Sequence, residues 1–287
     1  MLERPVLADD TILHALRTAF GLPVASLHFL PLGADTNTAV YRTATRDDTP
    51  YFVKLRLADF HEASLTIPHY LYERGVRSVI PPFATLTGQL WVPLADHYLI
   101  LYPFVVGRPG YEQGLSTAHW RDFGVALRQL HTTLFPVVLT RTILREAFSP
   151  IWPARMNRVL QQCANVTVAE PVVQALALFL QEKKSALLDL CANTEALAAT
   201  LRTDPPPFVL CHGDCHGWNL LIDEYNQLFL VDWDTLIFAP KERDLMFIGG
   251  GHGESGYRAD EEETYFYRGY GHTSINPVAL AYYRFAR

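Results

Sequence analysis

The sequence is poor in cysteine, has no cluster of basic residues and contains no hydrophobic run of membrane-spanning length. Four cysteines among 287 residues are too few for a disulfide framework, which is typical of a protein in a reducing cytoplasm. The N-terminal segment Met1–Asp10 carries acidic rather than basic residues, so no secretory signal is predicted. The formal net charge of −6 argues against a nucleic acid or an anionic membrane as partner and favours a cationic small molecule.

Apolar residues are abundant, at 49% of the chain, so the protein is expected to fold around a sizeable core, and the length favours two lobes. Residues 1–105 alternate strand-like runs with turns and predict a small antiparallel sheet. One helix, from about Glu62 to Arg74, interrupts this sheet; it contains Pro68 and is expected to stop at Gly75. The predicted strands are Leu27–Leu32, Ala39–Thr43, Tyr51–Leu57, Leu90–Pro93 and Tyr98–Phe104.

Residues 106–287 predict a mainly helical second lobe, which together with the sheet gives an α+β fold. The elements predicted in this lobe are the helices Thr117–His131 and Val172–Leu190 and the strands Phe208–Cys211 and Leu228–Val231. Pro205–Pro207 ends the last helix before these strands. The acidic run Glu261–Glu263 is interpreted as a solvated helix face.

The chemistry is concentrated in two neighbouring segments, Val-Leu-Cys-His-Gly-Asp-Cys-His-Gly-Trp-Asn at 209–219 and Phe-Leu-Val-Asp-Trp-Asp at 229–234. Phosphoryl transfer requires a carboxylate beside the attacking hydroxyl and hard oxygen ligands that hold magnesium against the phosphates. Asp214 is therefore predicted to orient and deprotonate the hydroxyl, and Asn219 and Asp232 to bind the metal. The structural alternative is a turn in which these side chains make only local backbone bonds.

A zinc cluster is a second interpretation of the first segment, because Cys211, His212, Asp214, Cys215 and His216 are all competent ligands. The two cysteines are four residues apart and lack a spaced second ligand pair, which argues against a tetrahedral site. Both cysteines are instead expected to be small buried packing residues. The histidine at 212 is expected to brace the loop by hydrogen bonding.

Lys54 is the one lysine in the otherwise apolar run Tyr51–Leu55, where an inward ammonium group needs an anionic partner such as a phosphate of ATP. An outward, solvated lysine is the alternative. Glu62 is the nearest candidate to pair with Lys54, and Glu73 is a second candidate. Because the chain is acidic overall, ATP has to be held by such local features.

The turn that contains Gly33, Asp35, Thr36 and Asn37 lies between two predicted strands. Its backbone amides are suited to fold over the phosphates of a nucleotide. An ordinary hairpin turn is the alternative, because this turn has a single glycine and lacks the repeated glycines that mark a phosphate-binding loop.

The pattern His-Gly-Asp-x-His-x-x-Asn from His212 to Asn219, followed by Asp-Trp-Asp, resembles the aminoglycoside phosphotransferase and choline kinase group. The resemblance implies a protein-kinase-like two-lobed fold, with a small antiparallel-sheet N-terminal lobe (1–105) and a mainly helical C-terminal lobe (106–287). It implies ATP and Mg²⁺ as cofactors and a hydroxyl of a small molecule as acceptor. It further implies that Tyr102 and Phe104 lie at the hinge that meets adenine, and that Asp244 braces the catalytic loop.

Two longer segments, Gly33–Asn37 and Ala239–Gly251, resemble the spectinomycin phosphotransferase branch of this family. This implies an aminoglycoside or aminocyclitol such as spectinomycin as acceptor, and a role in antibiotic resistance. The branch continues with further helices, so part of the acceptor wall is expected to be absent or short in this chain. The alternatives are a metabolic kinase of a sugar or of a choline-like amino alcohol and, outside the class, a zinc-dependent hydrolase or a catalytically silent nucleotide-binding protein.

An acceptor of this kind carries ammonium groups, so the acceptor pocket is expected to be anionic. The acidic residues expected to form it come from the second lobe; they are Asp214, Asp234, Glu242, Glu254 and Glu261–Glu263.

Overall fold

The structure is a computed structural model, and it describes residues 4–33, 35, 37–57, 61–164, 170–250 and 256–286. Two of the sequence-predicted positions, Thr36 and Glu254, lie outside these residues. None of the helices in the described ranges has both the length and the apolar composition needed to cross a bilayer.

The N-terminal lobe is a five-stranded antiparallel sheet in the order β1-β2-β3-β5-β4. Its elements are α1 (Asp9–Phe20), β1 (Val24–Leu30), β2 (Thr38–Thr45), β3 (Pro50–Leu57), α2 (Ala63–Glu73), β4 (Val92–Leu94) and β5 (His97–Pro103). The five predicted strands and the helix that interrupts them are confirmed with small shifts at their ends. The α2 helix contains Pro68 and stops before Gly75, which adopts φ +88°. The α1 helix has no counterpart among the predicted elements.

The central strand β3 separates a core face from a cleft face, because successive side chains of a strand point in opposite directions. Val53 and Leu55 are fully buried in a cluster that includes Ile12 and Leu16 of α1. The intervening residues of β3 therefore face away from α1. This alternation aims the strand's cationic side chains at the cleft between the lobes.

The C-terminal lobe is mainly helical, as predicted, and contains two small three-stranded sheets in the orders β10-β9-β6 and β7-β11-β8. The helices are α3 (Gly110–Gln113), α4 (Thr117–Thr132), α5 (Val137–Thr140), α6 (Ile151–Cys163), α7 (Pro171–Glu182), α8 (Lys184–Thr203), α9 (Glu242–Leu245), α10 (Ala259–Tyr270) and α11 (Pro277–Ala286). The strands are β6 (Gly107–Pro109), β7 (Leu144–Arg145), β8 (Phe208–Cys211), β9 (Leu220–Asp223), β10 (Leu228–Leu230) and β11 (Ile237–Pro240). The division into residues 1–105 and 106–287 stays a proposal.

The predicted helix Val172–Leu190 is wrong as a single element. Lys183, at φ −87° and ψ 4°, separates α7 from α8, and α8 continues to Thr203. Both helices carry apolar residues at helical spacing, so the pattern runs across the break without marking it.

The core of the C-terminal lobe lies between α4 and α10, whose backbones approach closely. A Cβ atom on Gly269 of α10 would lie 1.8 Å from the carbonyl oxygen of Arg121 on α4, so only glycine permits this approach. The interpretation of Glu261–Glu263 as a solvated face is wrong for Glu262, which is fully buried in the first turn of α10. The first turn therefore points one of its three carboxylates into the protein.

Candidate active site

The loop between β8 and β9 carries the predicted catalytic residues, and Asp244 fixes its backbone. One carboxylate oxygen of Asp244 accepts a hydrogen bond from the Gly213 amide (2.7 Å), and the other accepts from the His212 amide (2.8 Å). The Nε2 atom of His131 lies 3.0 Å from the same second oxygen. Burial alone would raise the pKa of Asp244, but the His131 hydrogen bond and the surrounding donors lower it. The predicted bracing role of Asp244 is confirmed.

Gly213 is required by the shape of this loop. It adopts φ +86°, and a Cβ atom there would lie 2.4 Å from the carbonyl oxygen of Thr235. The hydroxyl of Thr235 in turn donates a hydrogen bond to the His212 carbonyl at 2.9 Å. The two motif segments are thus packed backbone to backbone at this point.

His212 joins the catalytic loop to the end of β10. Its Nδ1 atom accepts a hydrogen bond from the Asp214 amide at 3.3 Å, so the proton is on Nε2, which donates to the Val231 carbonyl at 3.1 Å. Burial lowers the pKa of His212, which is consistent with a neutral ring. The predicted bracing role of this histidine is confirmed.

Asp214 and Asn219 lie together on the catalytic loop. The side-chain amide nitrogen of Asn219 donates to the Asp214 carbonyl oxygen at 2.8 Å and lies 3.4 Å from one carboxylate oxygen of Asp214. Because the amide nitrogen is used inside the loop, the side-chain oxygen of Asn219 is the atom able to bind a cation. The Val231 amide donates to the Asn219 carbonyl at 3.0 Å, which brings the residue after Val231, Asp232, next to Asn219.

Asp232 follows β10 in a left-handed conformation, at φ +64° and ψ 70°, which is uncommon for a residue other than glycine. Its side chain is 49% exposed, and its Oδ1 atom lies 3.6 Å from Nζ of Lys54. Burial raises the pKa of Asp232, and the charge of Asp234 adds to this effect, while Lys54 opposes it. A cation bound to this carboxylate would offset the cost of its charge.

Lys54 faces the cleft and binds the second motif segment. Its Nζ atom lies 3.3 Å from Oδ2 of Asp234, and Arg56 of the same strand also donates to this carboxylate. Burial alone would raise the pKa of Asp234, but Lys54 and Arg56 outweigh it and lower the pKa to about 2. Asp234 is therefore an anion at neutral pH.

The partner predicted for Lys54 from the sequence was Glu62. Among the residues that the structure describes, the ion pairs of Lys54 are with Asp232 and Asp234. Glu62 is exposed at the start of α2, and Glu73 lies 3.4 Å from His69. A role of Glu62 in nucleotide binding stays a prediction.

The turn that begins at Gly33 lies beside these cations. Gly33 adopts φ +95°, and the Asp35 carboxylate accepts hydrogen bonds from the Asn37 amide (2.9 Å) and the Thr38 hydroxyl (2.7 Å). Thr38 pairs directly with Arg56 across β2 and β3. The Asp35 side chain therefore holds Asn37 and Thr38 at the end of β3 that carries the cations.

Two of the predicted hinge residues form an aromatic cluster on the cleft face of the sheet. The ring of Phe52 lies 6.3 Å from that of Tyr102 and 6.5 Å from that of Phe104, measured between centroids. Phe52 precedes Lys54 by two positions on β3 and therefore lies on the same face. The rings are inclined to one another by 63° and 48°, and together they form an apolar aromatic surface next to the cations.

A cavity of about 380 Å³ opens beside the catalytic loop. The described residues that line it are Tyr111, His216, Gly217, Trp218, Met246, Phe247 and Gly250. The rings of Tyr111 and Trp218 stack at 4.8 Å, and His216 Nε2 lies 3.4 Å from a carboxylate oxygen of Asp214. Sequence reasoning named His216 only as a candidate zinc ligand and as part of the family pattern, and it gave Tyr111 and Trp218 no role, although the position of Trp218 within the motif segment offered a signal.

Two of the acidic residues expected in the acceptor pocket, Glu242 and Asp234, are engaged elsewhere. Glu242 is fully buried, accepts a hydrogen bond from the Asn276 amide at 2.9 Å, and does not line the cavity. Asp234 is occupied by Lys54 and Arg56. The described residues that line the cavity are thus mainly aromatic. Asp214 is not among them, but it contacts His216, which is.

The two cysteines of the loop are fully buried, and burial raises the pKa of both thiols well above the usual value, so both are protonated packing residues as predicted. In the described part of the chain, the group with metal-ligand spacing is His131, Cys211 and Asp244. Both oxygens of Asp244 already accept hydrogen bonds. This group is therefore a hydrogen-bonded brace, and the crowded five-residue cluster is not assembled as a zinc site.

An antiparallel sheet above a helical lobe, with an Asp-Asn-Asp set facing a strand lysine, defines a phosphotransferase of protein-kinase-like fold. The chain belongs to the phosphotransferase enzyme family abbreviated APH, whose model matches residues 28–273. A solved structure of spectinomycin phosphotransferase in complex with ADP and spectinomycin is 31% identical, with a TM-score of 0.90, and the match covers 98% of this chain and 85% of that one. A comparison with curated protein sequences returned no match.

More distant structures share the fold. A choline kinase from Streptococcus pneumoniae is 13% identical, with a TM-score of 0.60 over 96% of this chain and 85% of that one. A macrolide 2'-phosphotransferase from Brachybacterium faecium is 20% identical, with a TM-score of 0.56 over 96% and 86%. At these identities the likeness concerns the fold alone.

Proposed function

We propose that this protein is an ATP-dependent phosphotransferase that moves the γ-phosphate to a hydroxyl of a small cationic molecule. The observation that carries the proposal is the convergence of Asp214, Asn219 and Asp232 with Lys54, which stands on the other lobe. Within the site, Asp214 orients the acceptor hydroxyl and takes its proton. Lys54 binds phosphate oxygens, and the turn that starts at Gly33, including Asp35, Thr36 and Asn37, covers them.

The donor set fits a magnesium ion. Asp232 offers a half-exposed carboxylate and Asn219 an amide oxygen, and both are hard oxygen ligands of the kind that Mg²⁺ prefers. When bound, the metal would offset negative charge on the transferring phosphate. Asp232 and Asn219 would hold it, while Tyr102 and Phe104 would lie against the adenine.

The acceptor that we propose is an aminoglycoside or aminocyclitol such as spectinomycin. The support is the similarity to spectinomycin phosphotransferase over 98% of the chain, which also makes antibiotic resistance the proposed biological role. The aromatic lining of the cavity is suited to an ammonium group, since ring faces attract cations. A choline-like amino alcohol has the same chemistry and is the second candidate.

The test is incubation of the chain with magnesium and ATP and, separately, spectinomycin, kanamycin, choline or a simple sugar. A phosphate-sized mass gain on spectinomycin is expected. A gain on choline or a sugar alone would overturn the acceptor and retain the kinase. No gain on any acceptor, with ATP bound but not hydrolysed, would contradict the enzymatic function and favour a silent nucleotide-binding protein.

Trp218→Ala is expected to raise the acceptor KM about tenfold, because it removes an aromatic face from the cavity. The KM for ATP should stay within twofold of the wild type, since Trp218 lies on the acceptor side of the loop. Steady-state kinetics with the acceptor found above checks this. The matched control is Trp152→Ala, which removes an exposed tryptophan of α6 outside the cavity. Equal changes in both variants would contradict the assignment of the cavity.

A further inference from the structure

Arg56 is a second cation in the cleft that the family pattern did not select. It follows Lys54 by two positions on β3, so both side chains lie on the cleft face. The arginine side chain is only 13% exposed, and the lysine side chain 18%. A guanidinium group this buried requires an anionic partner, because it cannot be neutralised by losing its proton.

The register of the sheet places Arg56 between the two segments expected to surround the phosphates. On one side it pairs with Thr38, and the Leu57 amide donates to the Asn37 carbonyl at 3.0 Å, which closes the turn that begins at Gly33. On the other side it donates to Asp234, two residues after Asp232. The guanidinium group therefore lies where the turn, the strand lysine and the metal-binding segment meet.

Two cations share one carboxylate at this point. Lys54 and Arg56 both contact Asp234, and Lys54 is also within ion-pair distance of Asp232. The four charges balance, so the cluster is neutral as it stands. A polyphosphate that enters the cleft is a competing anion for these cations, and the planar guanidinium fork matches phosphate oxygens as well as it matches a carboxylate.

We propose that Arg56 is a second phosphate-binding residue beside Lys54, positioned by Asp234 and transferred from that carboxylate to the phosphates when a nucleotide binds. This inference rests on the proposed function, because it assumes that a nucleotide occupies the cleft. It explains how a chain with a net charge of −6 supplies two cationic side chains to a polyanion. In this proposal Asp234 competes with the phosphates for Arg56.

The test is calorimetric titration of ATP and of adenosine, each with magnesium and with excess chelator. Arg56→Gln is expected to weaken ATP binding about tenfold or more, since it removes a charge-assisted hydrogen bond, and to leave adenosine binding within twofold. Asp234→Asn is expected to act in the opposite direction under chelator, because it frees Arg56 and Lys54 for the phosphates. Arg46→Gln, in the exposed turn between β2 and β3, is the control for loss of one positive charge.

The outcomes distinguish an Arg56 that binds phosphate from an Arg56 whose ion pair with Asp234 only holds the two lobes together. In that case Arg56→Gln and Asp234→Asn would weaken binding alike, and adenosine would be affected as much as ATP; either result overturns the proposal. Unchanged ATP affinity in Arg56→Gln, with normal binding by the wild type, overturns it as well. A wild-type chain that binds no ATP at all would instead overturn the proposed function. Normal adenosine binding by Arg56→Gln also shows that the variant is folded.

Discussion

Asp214→Asn is expected to lower phosphotransfer turnover by about 10²- to 10⁴-fold while nucleotide affinity stays within twofold of the wild type. The substitution keeps the shape of the side chain but removes the carboxylate that we propose as the base for the hydroxyl proton. The contacts that hold the loop are mostly made by other groups: His212 binds the Asp214 backbone amide, and Asn219 binds the Asp214 backbone carbonyl. An asparagine can therefore occupy the position without displacing the loop.

The measurement is single-turnover kinetics with a verified acceptor, alongside ATP titration of the same variant. Asp189→Asn is the matched control, because it makes the same chemical change at an exposed aspartate on α8. Turnover near that of the wild type in Asp214→Asn would remove Asp214 from the catalytic role. Equal losses of turnover and of ATP affinity would instead indicate that the loop has collapsed.

The internal contacts of the loop between β8 and β9 were predictable because its residues are close in the sequence and their backbone contacts are local. The His212 ring binds an amide two residues away, and Asn219 binds a carbonyl five residues away. The strands of the N-terminal lobe were predictable for a similar reason, since alternating burial leaves a direct trace in residue order. Such features follow from short stretches of chain.

The charge network of the cleft could not be predicted in the same way. Lys54 and Asp234 are 180 positions apart, and nothing in either segment specifies the other. A sequence also shows that a side chain is acidic but not where that side chain points. Glu242 was therefore expected in the acceptor pocket, whereas in the structure it lies in the interior and accepts a hydrogen bond from the Asn276 amide. Burial of one carboxylate among the three at 261–263 depends on how α10 packs against α4, which is again a property of the assembled lobe.

Asp232 offers the sharpest test of the metal site, and its backbone decides which substitution to use. The residue adopts φ +64°, a region that asparagine tolerates and alanine does not. Asp232→Asn therefore removes the charge without adding backbone strain. Its neighbour Lys54 loses one of two anionic partners but keeps Asp234.

In Asp232→Asn, magnesium is expected to lose most of its effect on ATP affinity, because a neutral amide binds a hard divalent cation far more weakly than a carboxylate does. Affinity under excess chelator should rise slightly, since Lys54 is then less occupied by protein anions and more available to the phosphates. Calorimetric titration of ATP with magnesium and with chelator gives both quantities, and Asp189→Asn, measured in parallel, should retain the full magnesium effect. The assignment of Asp232 as a metal ligand would fail if the ratio of the two affinities in Asp232→Asn equalled that of the wild type. A fall in affinity of the same size under both conditions would place Asp232 in the fold of the cleft rather than at the metal.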